Sequence, residues 1–164
     1  MVISSEAKVI KQSENRSAFT MIEMVFVIVI LGILAAVAIP RLAASRDDAV
    51  LVKGKSQVSA IRSGIALQKS RRMLEGTTPF LPLVLDNAAY NTENEKLFYF
   101  NDGNSSNILE YALFSSTKDG TWMKTAANVY SFKLNATNVT FNYTATSGSF
   151  DCDHNDQNCK DLSE

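Results

Sequence analysis

Sixteen consecutive residues from Met24 to Ile39 carry no polar side chain, and Pro40 closes the run. Extended back to Phe19 the segment has 22 residues, about 33 Å as an α-helix at about 1.5 Å per residue, enough to cross a hydrocarbon core of about 30 Å. Beyond Pro40 the pattern changes period. Leu51, Val58, Ile61 and Ile65 recur on one stripe, while Arg46, Asp47, Lys55, Gln57, Arg62 and Lys69 lie mostly off it, which predicts an amphipathic helix to about Met73. One long helix, apolar in its first half and amphipathic in its second, is the economical reading. Gly54 and Gly64 lower its intrinsic propensity, so the second half must owe its order to packing.

Gly76-Thr77-Thr78-Pro79 ends the helix, and residues 77–96, with Pro79, Pro82, Asp86, Asn87 and Asn91, have the composition of a loop. After it the period becomes two. Tyr130, Phe132 and Leu134, then Val139, Phe141 and Tyr143, alternate with polar neighbours around Asn135-Ala136-Thr137-Asn138, which predicts an antiparallel hairpin with one buried face. Leu97–Phe100 and Ile108–Phe114 read as earlier strands, with Asn101-Asp102-Gly103-Asn104 as the turn between them. The predicted fold is α+β: a long N-terminal helical spine, membrane-embedded in its first half, packed on a small antiparallel β-sheet head.

Charge changes the picture locally rather than globally. The 164 residues hold 16 Lys+Arg and 17 Asp+Glu, a net charge of −1, which argues against a general nucleic-acid binder. Asp151, Asp153, Asp156, Asp161 and Glu164 make the C-terminal stretch an acidic patch, and the two cysteines, Cys152 and Cys159, lie inside it. With the head exported they suit one disulfide, and the alternative is two free thiols in the tail. No catalytic constellation is present: the chain has no Gly-rich phosphate loop or nucleophile elbow, and its one histidine, His154, sits in the acidic tail. This argues against an enzyme.

Glu23 is the residue that a plain anchor does not explain. A carboxylate inside a span costs on the order of 2.5–3.5 kcal/mol, so a charge partner or a function is the default reading. Two other readings remain for this end of the chain. Glu23 could sit at the headgroups as an interfacial acid, and Ala36-Val37-Ala38 has the small-residue order of a secretory cleavage site. The second would release, and an uncleaved helix would tether, a periplasmic binding protein.

The segment Ser17-Ala18-Phe19-Thr20-Met21-Ile22-Glu23 resembles the processing junction of type IV prepilins and type II secretion pseudopilins. The resemblance covers residues 18–40 or so. It implies a cytoplasmic leader over residues 1–18, cut between Ala18 and Phe19 by an inner-membrane prepilin peptidase that also methylates the amino group of Phe19. It implies that Glu23 registers incoming subunits, and that Gly32 and Pro40 soften or kink the helix, although Pro40 could equally mark only the end of the span. Cutting before Phe19 would place a new amine four residues, about one helical turn, ahead of Glu23. The chain departs from the family in carrying Ala18 where glycine usually precedes the cut, and Met21 for leucine is a swap of similar volume.

By the same resemblance the chain divides into the leader (1–18), the assembly half of the helix (19–40), its second half packed on the head (41–73) and a globular region ending in a disulfide loop (74–164). The implied role is a structural subunit of a helical homo-oligomeric filament, stored single-pass in the bacterial inner membrane with its head in the periplasm and handled by an inner-membrane assembly platform. A pseudopilin of a type II secretion or DNA-uptake system is favoured over a surface type IV pilus subunit. Calcium in the C-terminal loop of some members makes Asp151, Asp153 and Asp156 candidate ligands, with Asn155 and Asp161 nearby, although the EF-hand spacing is not met. Lys69, Arg71 and Arg72 form a basic cluster that suits a helix C-terminus or, in a minor pilin, a DNA contact. Asn104, in Asp102-Gly103-Asn104-Ser105-Ser106, is the one sequon in an acceptor-like context.

Overall fold

The computed structural model describes residues 19–100 and 106–164. The leader with Ala18 and the Asn101–Asn104 turn with its sequon therefore lie outside the described residues. Element order is α1 (Met21–Glu75), β1 (Lys96–Leu97), β2 (Leu113–Phe114), β3 (Trp122–Ala126), β4 (Val129–Leu134), β5 (Thr137–Thr144), β6 (Ser149–Cys152) and α2 (Gln157–Ser163). The chain divides into two compact units with the boundary between Arg41 and Leu42.

In the first unit, α1 starts on Thr20. Its carbonyl and its Oγ1 both accept from the Glu23 amide, at 3.1 and 3.3 Å, so Thr20 occupies the cap of a Thr-x-x-Glu start and satisfies a first-turn donor. The helix runs through Gly32 and Pro40 without a break. Residues Met21–Ile39 are long and apolar enough to cross a membrane, and the span is unburied among the described residues.

In the second unit α1 ends two residues later than the sequence predicts. Gly76, at φ +69°, turns the chain, and the Gly76 and Thr77 amides donate to Met73 and Arg72 carbonyls, the paired closure of a Schellman motif. Val58, Ile61 and Ile65 are buried in the head's core, as the stripe predicts. Gly54 and Gly64 belong to the same buried face, and their role is close approach. A Cβ at Gly54 would run into Leu162 and Phe132, and one at Gly64 into the Ile108 carbonyl.

The sheet is an antiparallel meander, β3-β4-β5-β6. Its predicted hairpin is β4–β5, paired from Leu134↔Thr137 to Val129↔Asn142. Asn135 and Ala136 both take positive φ, 49° and 65°, the two-residue turn whose twist matches the strands. Tyr130, Phe132, Leu134, Val139, Phe141 and Tyr143 all face inward and are buried. The head also holds two strands and a helix for which the sequence reading makes no prediction: β3, β6 and α2.

The earlier strands are much shorter than predicted. Only Lys96–Leu97 and Leu113–Phe114 pair, in a separate two-stranded ladder. Phe98 ends the first because its φ is +57°, which turns its ring into the aromatic core 4.5 Å from Tyr130 and 5.9 Å from Trp122. Its carbonyl then accepts from both Ile108 and Leu109 amides, so residues 106–112 anchor as a loop.

Asp86 ties the long loop to the sheet. It is 1 % exposed and accepts from Lys124 Nζ at 2.7 Å, the Phe98 amide at 2.8 Å, the Tyr130 hydroxyl at 2.9 Å and the Ala88 amide at 3.2 Å. Burial first, then the Asp86 carboxylate, pushes the Tyr130 phenol well above its ordinary range, so it remains a donor throughout the physiological range.

Candidate assembly site

Two features stand out, one at each end of the chain. At the N-terminal end Glu23 is the acid of the first helical turn. It is exposed and is followed by the apolar run in which Met24, Phe26, Ile28, Ile33 and Leu34 are each more than half exposed. Phe19 stands immediately before the helix and is 72 % exposed. Among the described residues of its own unit this segment is unburied, and so large an apolar surface calls for lipid or for other protein. At Gly32 an added Cβ would meet nothing within 4 Å among the described residues, in contrast with Gly54 and Gly64.

At the C-terminal end Cys152 and Cys159 are joined, with Cα atoms 5.8 Å apart. Asp156 caps α2 by accepting from the Asn158 amide at 3.0 Å, which orients Cys159 and Leu162, three residues apart, into the core. Arg62 on α1 fastens this segment. Its guanidinium donates to the Phe150 carbonyl at 2.9 Å, the Ser163 carbonyl at 3.1 Å and Asp151 Oδ1 at 3.0 Å. Partial burial pushes the Asp151 carboxyl up, but hydrogen bonds from His154 and the Cys152 amide, with the charges of His154 and Arg62, outweigh it and leave the group below its ordinary value.

The candidate calcium ligands have protein partners. Asp151 is shared by Arg62 and His154, Asp153 accepts from the Asn155 amide and side chain, and Asp156 caps α2. Asp151, His154 and Cys159 cluster within 4.8 Å, yet the Cys159 sulfur is committed to Cys152. In the basic cluster Arg71 pairs with Glu75 at 2.8 Å and Arg72 donates to the Pro79 carbonyl at 3.0 Å. Two of its three members thus close the helix end. The sequence reading missed Arg62 as the clasp, for which the signal was its place beside the buried stripe, and missed the Asp86–Lys124 pair.

Residues 14–39 match the family model described as the prokaryotic N-terminal methylation motif. The N-terminal segment of the chain is therefore similar to that of type IV prepilins and pseudopilins. The N-terminal apolar helix and the head of antiparallel sheet are consistent with an α+β, pilin-like fold. Among curated relatives, the chain is 38 % identical over 58 residues to the type II secretion system core protein G of Pseudomonas aeruginosa. That match takes in 35 % of this chain and spans 41 % of the relative's length. No solved structure gives a significant match.

Proposed function

We propose that the protein is a pseudopilin of a type II secretion or DNA-uptake apparatus, matured by removal of residues 1–18 and methylation of Phe19, and polymerised through its N-terminal helix. The observation that carries this reading is a lone carboxylate, Glu23, in the first turn of α1 and inside its 19-residue apolar span, which is unburied among the described residues. Held in lipid as a monomer, that acid costs on the order of 2.5–3.5 kcal/mol. A free amine on Phe19, its own or that of an adjacent subunit, would offset the cost, so trimming the leader would supply the charge partner for packing. The relative's name favours secretion over a surface pilus. Single-pass storage in the inner membrane, with the disulfide-bearing head in the periplasm, fits an oxidising compartment for Cys152–Cys159.

The test is Glu23→Ala in cells that assemble the filament. The expected result is a normally trimmed subunit that accumulates in the membrane and leaves few or no fibres. Wild-type fibre yield in that variant would remove the proposed role of Glu23.

A further inference from the structure

Four side chains with metal-binding atoms lie within nine residues of sequence. Asp151 and Cys152 end β6, His154 stands on the loop that follows, and Cys159 is on the inward face of α2. The ligand atoms of Asp151, His154 and Cys159 lie within 4.8 Å of one another, and the Cys152 sulfur is bonded to that of Cys159. A tetrahedral zinc ion sets sulfur, nitrogen and oxygen ligands about 3.3–3.8 Å apart, so opening the sulfur–sulfur bond lets the two sulfurs part while the other atoms close by about 1 Å.

The frame around these atoms does not depend on the disulfide. Strand β6 is registered on β5 through Cys152↔Phe141 and Asp151↔Asn142. Asp156 caps α2, Leu162 anchors it in the core, and Arg62 donates to the Phe150 and Ser163 carbonyls on either side of the segment. Cys159 is buried, whereas the Asp151 and His154 side chains are nearly half exposed, so an ion can enter from their side. Asp151 shares Oδ1 among Arg62, the Cys152 amide and His154, and its Oδ2 makes no hydrogen bond among the described residues.

We infer that the reduced C-terminal segment is a zinc site, with Cys152, Cys159, His154 and Asp151 as its ligands. A dithiol reductant takes both sulfurs to thiols and is itself oxidised to a disulfide. Zinc then displaces one proton from each thiol and is held by two thiolates, the neutral imidazole and the carboxylate. Thiolate and imidazole ligands select zinc over calcium. Three anionic ligands leave the site with one net negative charge, which the Arg62 guanidinium, 3.0 Å from Asp151, balances while it orients the carboxylate. Cysteines stay reduced on the cytoplasmic side of a membrane and oxidise outside it, so on the export reading the chain passes through the dithiol state, in which zinc closes the segment before the sulfurs join. The binding chemistry itself rests on this segment alone and not on the filament reading.

The test uses the full-length chain in detergent, reduced by a phosphine in the absence of oxygen and titrated with cobalt(II), a visible reporter for zinc. The expected result is the visible absorption of tetrahedral, thiolate-bound cobalt, complete at one ion per chain and bleached by an equivalent of zinc, with no such absorption from the oxidised chain. His154→Ala, at an exposed side chain, should keep the melting temperature of the oxidised head and weaken zinc binding by about 10–100-fold, and Cys152→Ser should weaken it at least as much. If reduction unfolds the head, zinc should refold it, read by Trp122 fluorescence. The site is overturned by a reduced wild type without the cobalt absorption, by equal absorption in the oxidised chain, by zinc affinity unchanged in His154→Ala, or by an unfolded reduced head that zinc leaves unfolded.

Discussion

Replacing Asp86 by alanine should be the most damaging single change in the head. The carboxylate is buried and takes four donors, among them Lys124 Nζ at 2.7 Å, a side chain itself only 6 % exposed. Removing it leaves a buried ammonium without its counter-charge, keeping the 3.3 Å bond to the residue 86 carbonyl, and takes the acceptor from two amides and the Tyr130 hydroxyl. Breaking a buried pair from one side costs about 3–5 kcal/mol. For a unit of this size, at about 3–5 °C per kcal/mol, the melting temperature should fall by roughly 10–25 °C. Lys124→Met should cost less, because Asp86 keeps three donors, and adding it to Asp86→Ala should recover part of the loss by deleting the orphaned charge. Thermal unfolding of the full chain in detergent, followed by fluorescence, reads this out cleanly: Trp122 is the single tryptophan, is 1 % exposed and packs on Phe98. A fall of less than about 5 °C in Asp86→Ala, or a double variant no more stable than that single, would refute the reasoning.

Other expectations can be checked the same way. Gly64→Ala drives a methyl group at the Ile108 carbonyl and should destabilise the head by about 1–3 kcal/mol, whereas Gly32→Ala, which meets nothing, should leave head melting unchanged. Replacing both Cys152 and Cys159 by serine opens a short ring and should remove about 2–3 kcal/mol, read as a lowered urea midpoint. Asp151 sits below its ordinary pKa in the folded chain, so its contribution is complete above the unfolded carboxylate value of about 3.9 and disappears as pH falls through the folded value. Because its side chain is nearly half exposed, the loss in Asp151→Asn should be small, about 0.2–1 kcal/mol. It should be visible at pH 6 and shrink as pH falls below the ordinary carboxylate range; a deficit that is the same at every acid pH at which the head stays folded would contradict the assignment.

How much of this was legible in the sequence follows from what each segment asks of its side chains. The β4–β5 hairpin shows itself because every inward position is apolar and every outward one on β5 polar, with an Asn-led turn. Strand β3 hides because Lys124 points inward to Asp86, so Trp122-Met123-Lys124 does not read as an alternation. Strand β6 offers a single inward residue, Phe150, too little for a period. Helix α2 is polar but for Cys159 and Leu162; its start was nevertheless signalled by Asp156, a capping residue three positions before the first of them. Leu97–Phe100 looks like a strand because local apolar runs do not reveal a backbone turned to positive φ by a tertiary demand, here the Asp86 bond to the Phe98 amide and the aromatic core. Glu23 stands out in the sequence alone, since a carboxylate beside sixteen apolar residues is anomalous without any fold. Arg62 and Asp86 required the fold, because their partners lie 89 and 38 residues away in sequence, at Asp151 and Lys124.

The most direct test of the proposed maturation is mass spectrometry of the N-terminal peptide from protein extracted from its native membrane. The account predicts a chain that begins at Phe19 and carries one added methyl group on its amine. A working protein that still begins at Met1, or one that begins at Ile39, would contradict it.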